Sequence, residues 1–456
     1  MSANSTASCK ILVPSGVLGA GCPDDAFQQG MRLKPDVMAV DAGSTDSGPY
    51  YLATGTSKMS DAPVRRDLMQ MIRAQAETGI PIIIGSCGTC GSDAGVDHVA
   101  ALCKDILKEI GHSAKIARIY SEQDSSTLKK YLQRGAIAPL PPMGNLTPAD
   151  IDSCNRIVGL AGAEVFAEAL EAGADIILAG RATDTAVISA YPLLKGFPAG
   201  ASWHAAKIAE CGGLCTENMQ LGGVMLEIDR EGFTVAPLHE DNRCTPRSVS
   251  AHMLYENADP YRLREPGVVL CVEDSQYQAL DDRRVRVTHS EVEVVPPTIK
   301  LEGARLAGYQ AMSFVGVGDP AILAQFDRWL DQLIGHAKKR IASLLGYTRG
   351  DYEIDFRPYG AGALNPLPEG VVPTEVGLMV VVTAESQSKA NEILRLCNPL
   401  LLHFPYNREA PLPSFAFPYS PAEVERGAVY EFCLNHIVEV GSATELHRMV
   451  IEEVKA

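Results

Sequence analysis

The stretch Asp41-Ala42-Gly43-Ser44-Thr45-Asp46 sets two carboxylates, two hydroxyls and a glycine directly after the apolar run DVMAV. Carboxylates among small residues suit acid–base chemistry or a metal, because glycine lets a ligand approach backbone and acids closely. Asp41 and Asp46 are therefore candidate catalytic residues, with Gly43, Ser44 and Thr45 as substrate contacts. The segment Arg181-Ala182-Thr183-Asp184 carries a similar mixture. Arg181 could clamp a substrate carboxylate in bidentate fashion, or pair instead with Asp184 or Asp41. Asp184 either faces a ligand or caps the helix it opens.

A third polar segment, GSCGTCGSDAGVDH, begins at Gly85. Gly85 and Ser86 are candidate substrate contacts, and His98 is a third candidate base. Cys87 and Cys90 form a C-x-x-C, and Cys211 and Cys215 form a pair one residue wider. That spacing is imperfect for a zinc ribbon, although C-x-x-C with one distant cysteine can hold an iron–sulfur cluster. The same glycines equally suit a tight turn beneath a ligand. Further on, Arg243 and Thr245 in the polar loop EDNRCTP could complete an anion site. Trp203-His204 with Lys207 and Glu210 is another dense polar spot, on a helix ending at Cys211. The charges of Lys300-Leu-Glu302-Gly-Ala-Arg305 either cap a helix or pair with one another.

The elements that must position these groups are legible as hydrophobic periodicity. KILVPSG, DVMAVDAG, PIIIGS, AKIARIY and ADIILAG are short, rich in Ile and Val, and bounded by glycine or proline, as buried parallel strands are. Helices are predicted between them at 24–33, 63–78, 95–111, 123–134 and 148–172, with Thr147 as N-cap and Pro148 at the first helical position. The alternation predicts a doubly wound α/β domain over 1–195. Ligands of such sheets bind beyond the carboxyl ends of the strands, where four of these five runs carry glycine with Ser, Thr, Asp, Arg or His. A mixed α+β region follows over 196–350, with half-exposed antiparallel strands such as GGVMLEID and GFTVAPL. A small α+β module, ferredoxin-like in its strand, strand, helix, strand order, closes the chain over 351–456.

Composition narrows the function. The chain has 456 residues, 46% apolar and 21% charged, with net charge −16. A diffuse acidic surface disfavours nucleic acid and anionic membrane as partners while leaving room for a small anion held by local arginines. No apolar run is long enough for a membrane span, and MSANSTASCK has no secretory pattern. The twelve scattered cysteines fit a reducing cytoplasm. No phosphate-binding P-loop motif occurs. Gly16, Gly19 and Gly21 with Asp41 about 20 residues on partly imitate a dinucleotide fingerprint, which leaves an NAD(P)-dependent oxidoreductase as a rival reading.

Together, DAGSTDSGPYYLATG, IILAGRATDTAV, WHAAKIAECGG, RCTPRSVSAHMLYENADPYRL and KLEGARLAGY resemble the acyclic terpene utilisation (AtuA-like) family. The resemblance implies a catabolic context, an N-terminal α/β domain and a ferredoxin-like end module able to pair with a small separate subunit. Relatives look similar to GSAGGAGGD around Gly85, so the cysteines of this chain depart from the family pattern. The expectation is a cytoplasmic, homo-oligomeric lyase of the hydratase or dehydratase kind, or an isomerase, acting on a small carboxylate or its CoA thioester. Such chemistry needs no cofactor, with a divalent metal or iron–sulfur cluster as the alternative. A non-catalytic ligand-binding or scaffold subunit is the reading from outside enzymology.

Overall fold

The computed structural model describes residues 8–455, so the start of the chain, where no secretory pattern is expected, lies largely outside the described residues. The chain divides into two compact units, one of residues 1–305 with 432–456 and one of residues 306–431.

The first unit is built on a ten-stranded sheet. The five runs read as parallel strands form its centre: β1 (Cys9–Val13), β2 (Val37–Asp41), β3 (Ile82–Gly85), β4 (Ala114–Tyr120) and, after β5 (Ile137–Pro139) and β6 (Arg156–Gly159), β7 (Ile176–Ala179). They lie in the order β1-β2-β3-β7-β4, all parallel. Their side chains are almost wholly buried on both faces, which is why the runs are continuous rather than alternating. Antiparallel strands extend both edges. β8 (Val224–Ile228) pairs with β1 and β9 (Gly232–Pro237) with β8. After β10 (Arg262–Glu265) and β11 (Val268–Cys271), β12 (Gln276–Ala279) and β13 (Val285–Thr288) complete that side. β10 and β11 form a separate three-stranded sheet with β14 (Glu291–Val294).

The stretch 148–172 is not one helix. A short helix Pro148–Ser153 ends before β6, and Ala163–Glu171 forms a second helix. The apolar run Ile157-Val158-Gly159 pairs instead with Leu301–Gly303 of β15 (Thr298–Val317), a buried strand position that outweighs the helical spacing. Thr147 does cap its helix, accepting from the Asp150 amide while Asp150 returns the bond. KLEGAR is likewise strand, not a helix start.

The second unit contains the latter half of β15, helix Phe326–Leu345, β16 (Tyr352–Tyr359), β17 (Val376–Ala384), helix Gln387–His403 and the start of β18 (Val424–Glu439), with strand order β16-β17-β15-β18. Trp329, Leu333, Ala337 and Ile341, at helical spacing, bury their side chains in its core with Leu378, Val380 and Val382. The last strand, β19 (Arg448–Val454), returns to the first unit and pairs antiparallel with β4. No helix among the described residues is long and apolar enough to cross a membrane.

Candidate active site

Parallel pairing brings the carboxyl ends of β2, β3 and β7 side by side, and the polar segments follow from there. Asp41 closes β2 in register with Gly85 of β3. A Cβ at Gly85 would sit 2.6 Å from Asp41 Oδ1 and collide with Val187, so only glycine leaves room for the carboxyl group. Gly43, at φ 146°, approaches the Thr89 backbone so closely that a Cβ would lie 2.5 Å from its Cα. The Gly43 amide donates to Asp41 Oδ2 at 3.0 Å. Asp41 Oδ1 has no hydrogen-bond partner among the described residues, although the side chain is 94% buried. Burial raises the Asp41 pKa well above the carboxylate range, and the Asp184 charge adds to it; Arg181, the Gly43 amide and Ser86 pull the other way.

Arg181 follows β7 and is buried. Its Nε donates to Glu302 Oε2 at 3.1 Å, and one terminal nitrogen donates to Ser86 Oγ at 3.1 Å and to the Ala182 carbonyl at 2.9 Å. The same nitrogen reaches Asp184 Oδ1 at 3.4 Å. Ser86 and Thr89 hold left-handed backbone angles, φ 46° and 79°, the kind of strain that clusters at functional sites. Gly91 packs directly on the Arg181 amide, where a Cβ would clash. Glu302, on β15, also accepts from Lys300 Nζ at 2.8 Å and from Thr45 Oγ1 at 3.0 Å. Burial works against its charge, but Arg181 and Lys300 together bring its pKa down to about 2. Glu302 is thus a fixed anion, and Arg181 stays a fixed cation because Glu302, Asp184 and Asp41 outweigh its burial.

Asp184 opens helix Asp184–Leu194, but Thr183 is the cap, accepting from the Ala186 amide at 3.2 Å. Released from capping, Asp184 turns toward Arg181. Its pKa is raised by burial, countered by Arg181 and raised further by the exposed Asp46. Beyond Asp184 the acid excess continues. Glu265, at the end of β10, is pushed up to about 7 by burial despite the hydroxyls of Thr185 and Thr183. Lys207 and Glu210, both buried, form an ion pair near the end of helix Ala199–Ala209. The site therefore holds more carboxyl groups than cations, and burial raises the pKa values of Asp41, Asp184 and Glu265.

The remaining predicted residues sit elsewhere. Ser44 Oγ accepts from the Asp46 amide at 3.2 Å. His98 is exposed and binds Asp61 at 2.8 Å, with no bond to this cluster. Arg243 pairs with Glu217 at 2.6 Å on the surface, and Thr245 caps helix Pro246–Ala251 in a capping box with Ser248. Cys87 and Cys90 are buried with thiol pKa values raised by burial, and no third ligand gathers near them among the described residues. They pack. Conversely, Glu302 and Glu265 were not singled out as site residues; each arrives on an antiparallel strand far along the chain, with no local motif to mark it.

The first loop does not fit a dinucleotide. The Gly19 and Gly21 amides that would receive a pyrophosphate already donate to Asp67 Oδ2 at 2.8 and 3.0 Å. Gly16 lies against the Cys211 backbone, whose carbonyl oxygen would be 2.6 Å from an added Cβ. Asp41, the expected ribose acid, is buried beside Arg181 instead.

Residues 53–412 match the family model described as "Acyclic terpene utilisation family protein AtuA". No curated protein and no solved structure matches the chain.

Proposed function

Because the chain belongs to the acyclic terpene utilisation family, we propose that it is a catabolic enzyme of the lyase or isomerase class, moving a proton alpha to the carbonyl of a small carboxylate or its CoA thioester. Family membership suggests a role in acyclic terpene utilisation. The observation that carries the chemistry is the buried, unpartnered Asp41 Oδ1 beside a second raised carboxyl, Asp184, and a permanently charged Arg181.

Burial raises the pKa of both Asp41 and Asp184, and each carboxylate charge disfavours the other, which suits them to hold and release a proton. Asp41, the more buried, is the acid that protonates a leaving hydroxyl or a developing enolate. Asp184, nearer Arg181 and open to Asp46, is the base that takes the α-proton. Arg181 steadies negative charge on the substrate oxygen, and Glu302 holds the guanidinium in place. The βαββαβ element order of the second unit, with its second and third strands adjacent and the first beside the fourth, supports a ferredoxin-like module.

The test is α-proton exchange in D2O, followed by NMR, over a panel of short hydroxy and unsaturated acids and their CoA thioesters. Asp184→Asn should lose exchange by about 10²–10⁴-fold. Asp41→Asn should keep exchange but lose elimination or double-bond migration. Full turnover in both variants would overturn the assignment.

A further inference from the structure

Helix Ala199–Ala209 ends at Glu210, the next residue is Cys211, and the short helices Pro246–Ala251 and His252–Leu254 carry His252 to the same place. One ligand atom from each of Glu210, Cys211 and His252 lies within 4.8 Å of the other two. Glu210 is 92% buried and His252 95% buried. His252 Nε2 stands 4.0 Å from Glu210 Oε1 and has no hydrogen-bond partner among the described residues, which leaves a buried lone pair or N–H facing the carboxylate. Tyr255 stacks on the imidazole, with ring centroids 5.4 Å apart, and limits its rotation. Cys211, half-buried, lines a cavity of about 460 Å³ with Ser15, Gly16, Val17, Gly213 and Leu214, so the cluster has a route to solvent.

We propose that Glu210, Cys211 and His252 form a binding site for a zinc-type transition-metal ion. A mixed oxygen, sulfur and nitrogen set of three protein ligands is the composition of sites that keep a fourth position open for water or substrate, and it selects zinc or cobalt over magnesium or calcium. The Lys207 ammonium, which pairs with Glu210, yields the carboxylate to the ion, and the Cys211 thiol releases its proton to solvent as the metal–sulfur bond forms. Glu210 and Cys211 feel the Asp184 charge, but cobalt retention is read without turnover, so failure of the metal site and failure of the reaction proposed above remain distinguishable.

The experiment uses the full chain, stripped with a chelator, gel-filtered and titrated with Co(II). One equivalent should be retained, with a thiolate-to-cobalt charge-transfer band in the near ultraviolet. Cys211→Ser should abolish that band, and His252→Gln should weaken retention by about 100-fold. Cys87→Ser should change neither. Thermal melts of the stripped variants establish that they are folded, and Cys211, being half-buried, tolerates the isosteric change best. Failure to retain cobalt, or retention with an unchanged band in folded Cys211→Ser, would overturn the site.

Discussion

Glu302 accepts from Arg181, Lys300 and Thr45 at once, so it joins three segments that are far apart in the chain. Its pKa of about 2, against an ordinary 4.5, has a definite sign in folding. The folded state prefers the ionised form, so the stabilisation is complete above about pH 4.5 and disappears as pH falls toward 2. Glu302→Gln leaves the buried Arg181 without its strongest counterion and should cost about 3–5 kcal/mol at pH 7. The penalty should shrink as pH falls below about 4.5, where the unfolded wild-type chain takes up the proton first, and vanish once the folded carboxyl is protonated below about 2. Urea unfolding midpoints of both proteins at pH 7 and pH 3 check this, and a gap that does not narrow in acid would remove the ionic account. At this scale Asp41, Ser86, Thr45 and Arg181 were legible because each follows an apolar run with glycine beside it. Glu302 was not. Its surroundings, KLEGAR, contain both charge signs, and only tertiary pairing shows that Lys300 and Arg181 share the same carboxylate.

At the scale of elements, Thr183 does what Asp184 was equally expected to do. Its hydroxyl accepts from the Ala186 amide, and the carboxylate one residue on is left for Arg181. Thr183→Ala should therefore lower stability by about 1 kcal/mol through the lost cap. It should also lower turnover, because the first turn that carries Asp184 loosens, and Thr183→Ser should restore both. A stable but inactive Thr183→Ala protein would instead implicate the hydroxyl in contact with substrate. The two alternatives for Asp184 could not be separated by composition, since hydroxyl followed by carboxylate serves either geometry. The five central strands were readable because burial on both faces removes polar alternation. β6 was not, because four strand residues between two short helices imitate one long amphipathic helix.

For the whole molecule, the parallel core is only the middle of a larger sheet, and its edges are closed by strands from distant parts of the chain. β8 covers β1 along five residue pairs, Cys9–Val13 against Val224–Ile228. At the other edge β19 covers β4 along seven pairs, from Arg448 opposite Tyr120 to Val454 opposite Ala114. A parallel core needs such antiparallel edges, because a bare edge strand displays a row of unpaired amides and carbonyls. Compositional change near residue 195 is real, but it marks the passage from two-sided to one-sided burial rather than the end of the sheet. Removing residues 448–456 should accordingly do more than trim a terminus. It uncovers Ala114–Tyr120, whose Ile116 and Ile119 are wholly buried, and takes away Glu452, which pairs with Arg118 at 3.2 Å. Val450 and Val454, which pack on the core, go with it. The truncated protein should associate in a concentration-dependent way, visible by light scattering, and unfold at lower urea than the full chain. If it stays monodisperse with an unchanged unfolding midpoint, β19 is dispensable and the helices alone protect that edge. Association without loss of midpoint would mean that a second copy of β4 replaces the missing strand, which is how an unprotected edge of this composition satisfies its hydrogen bonds.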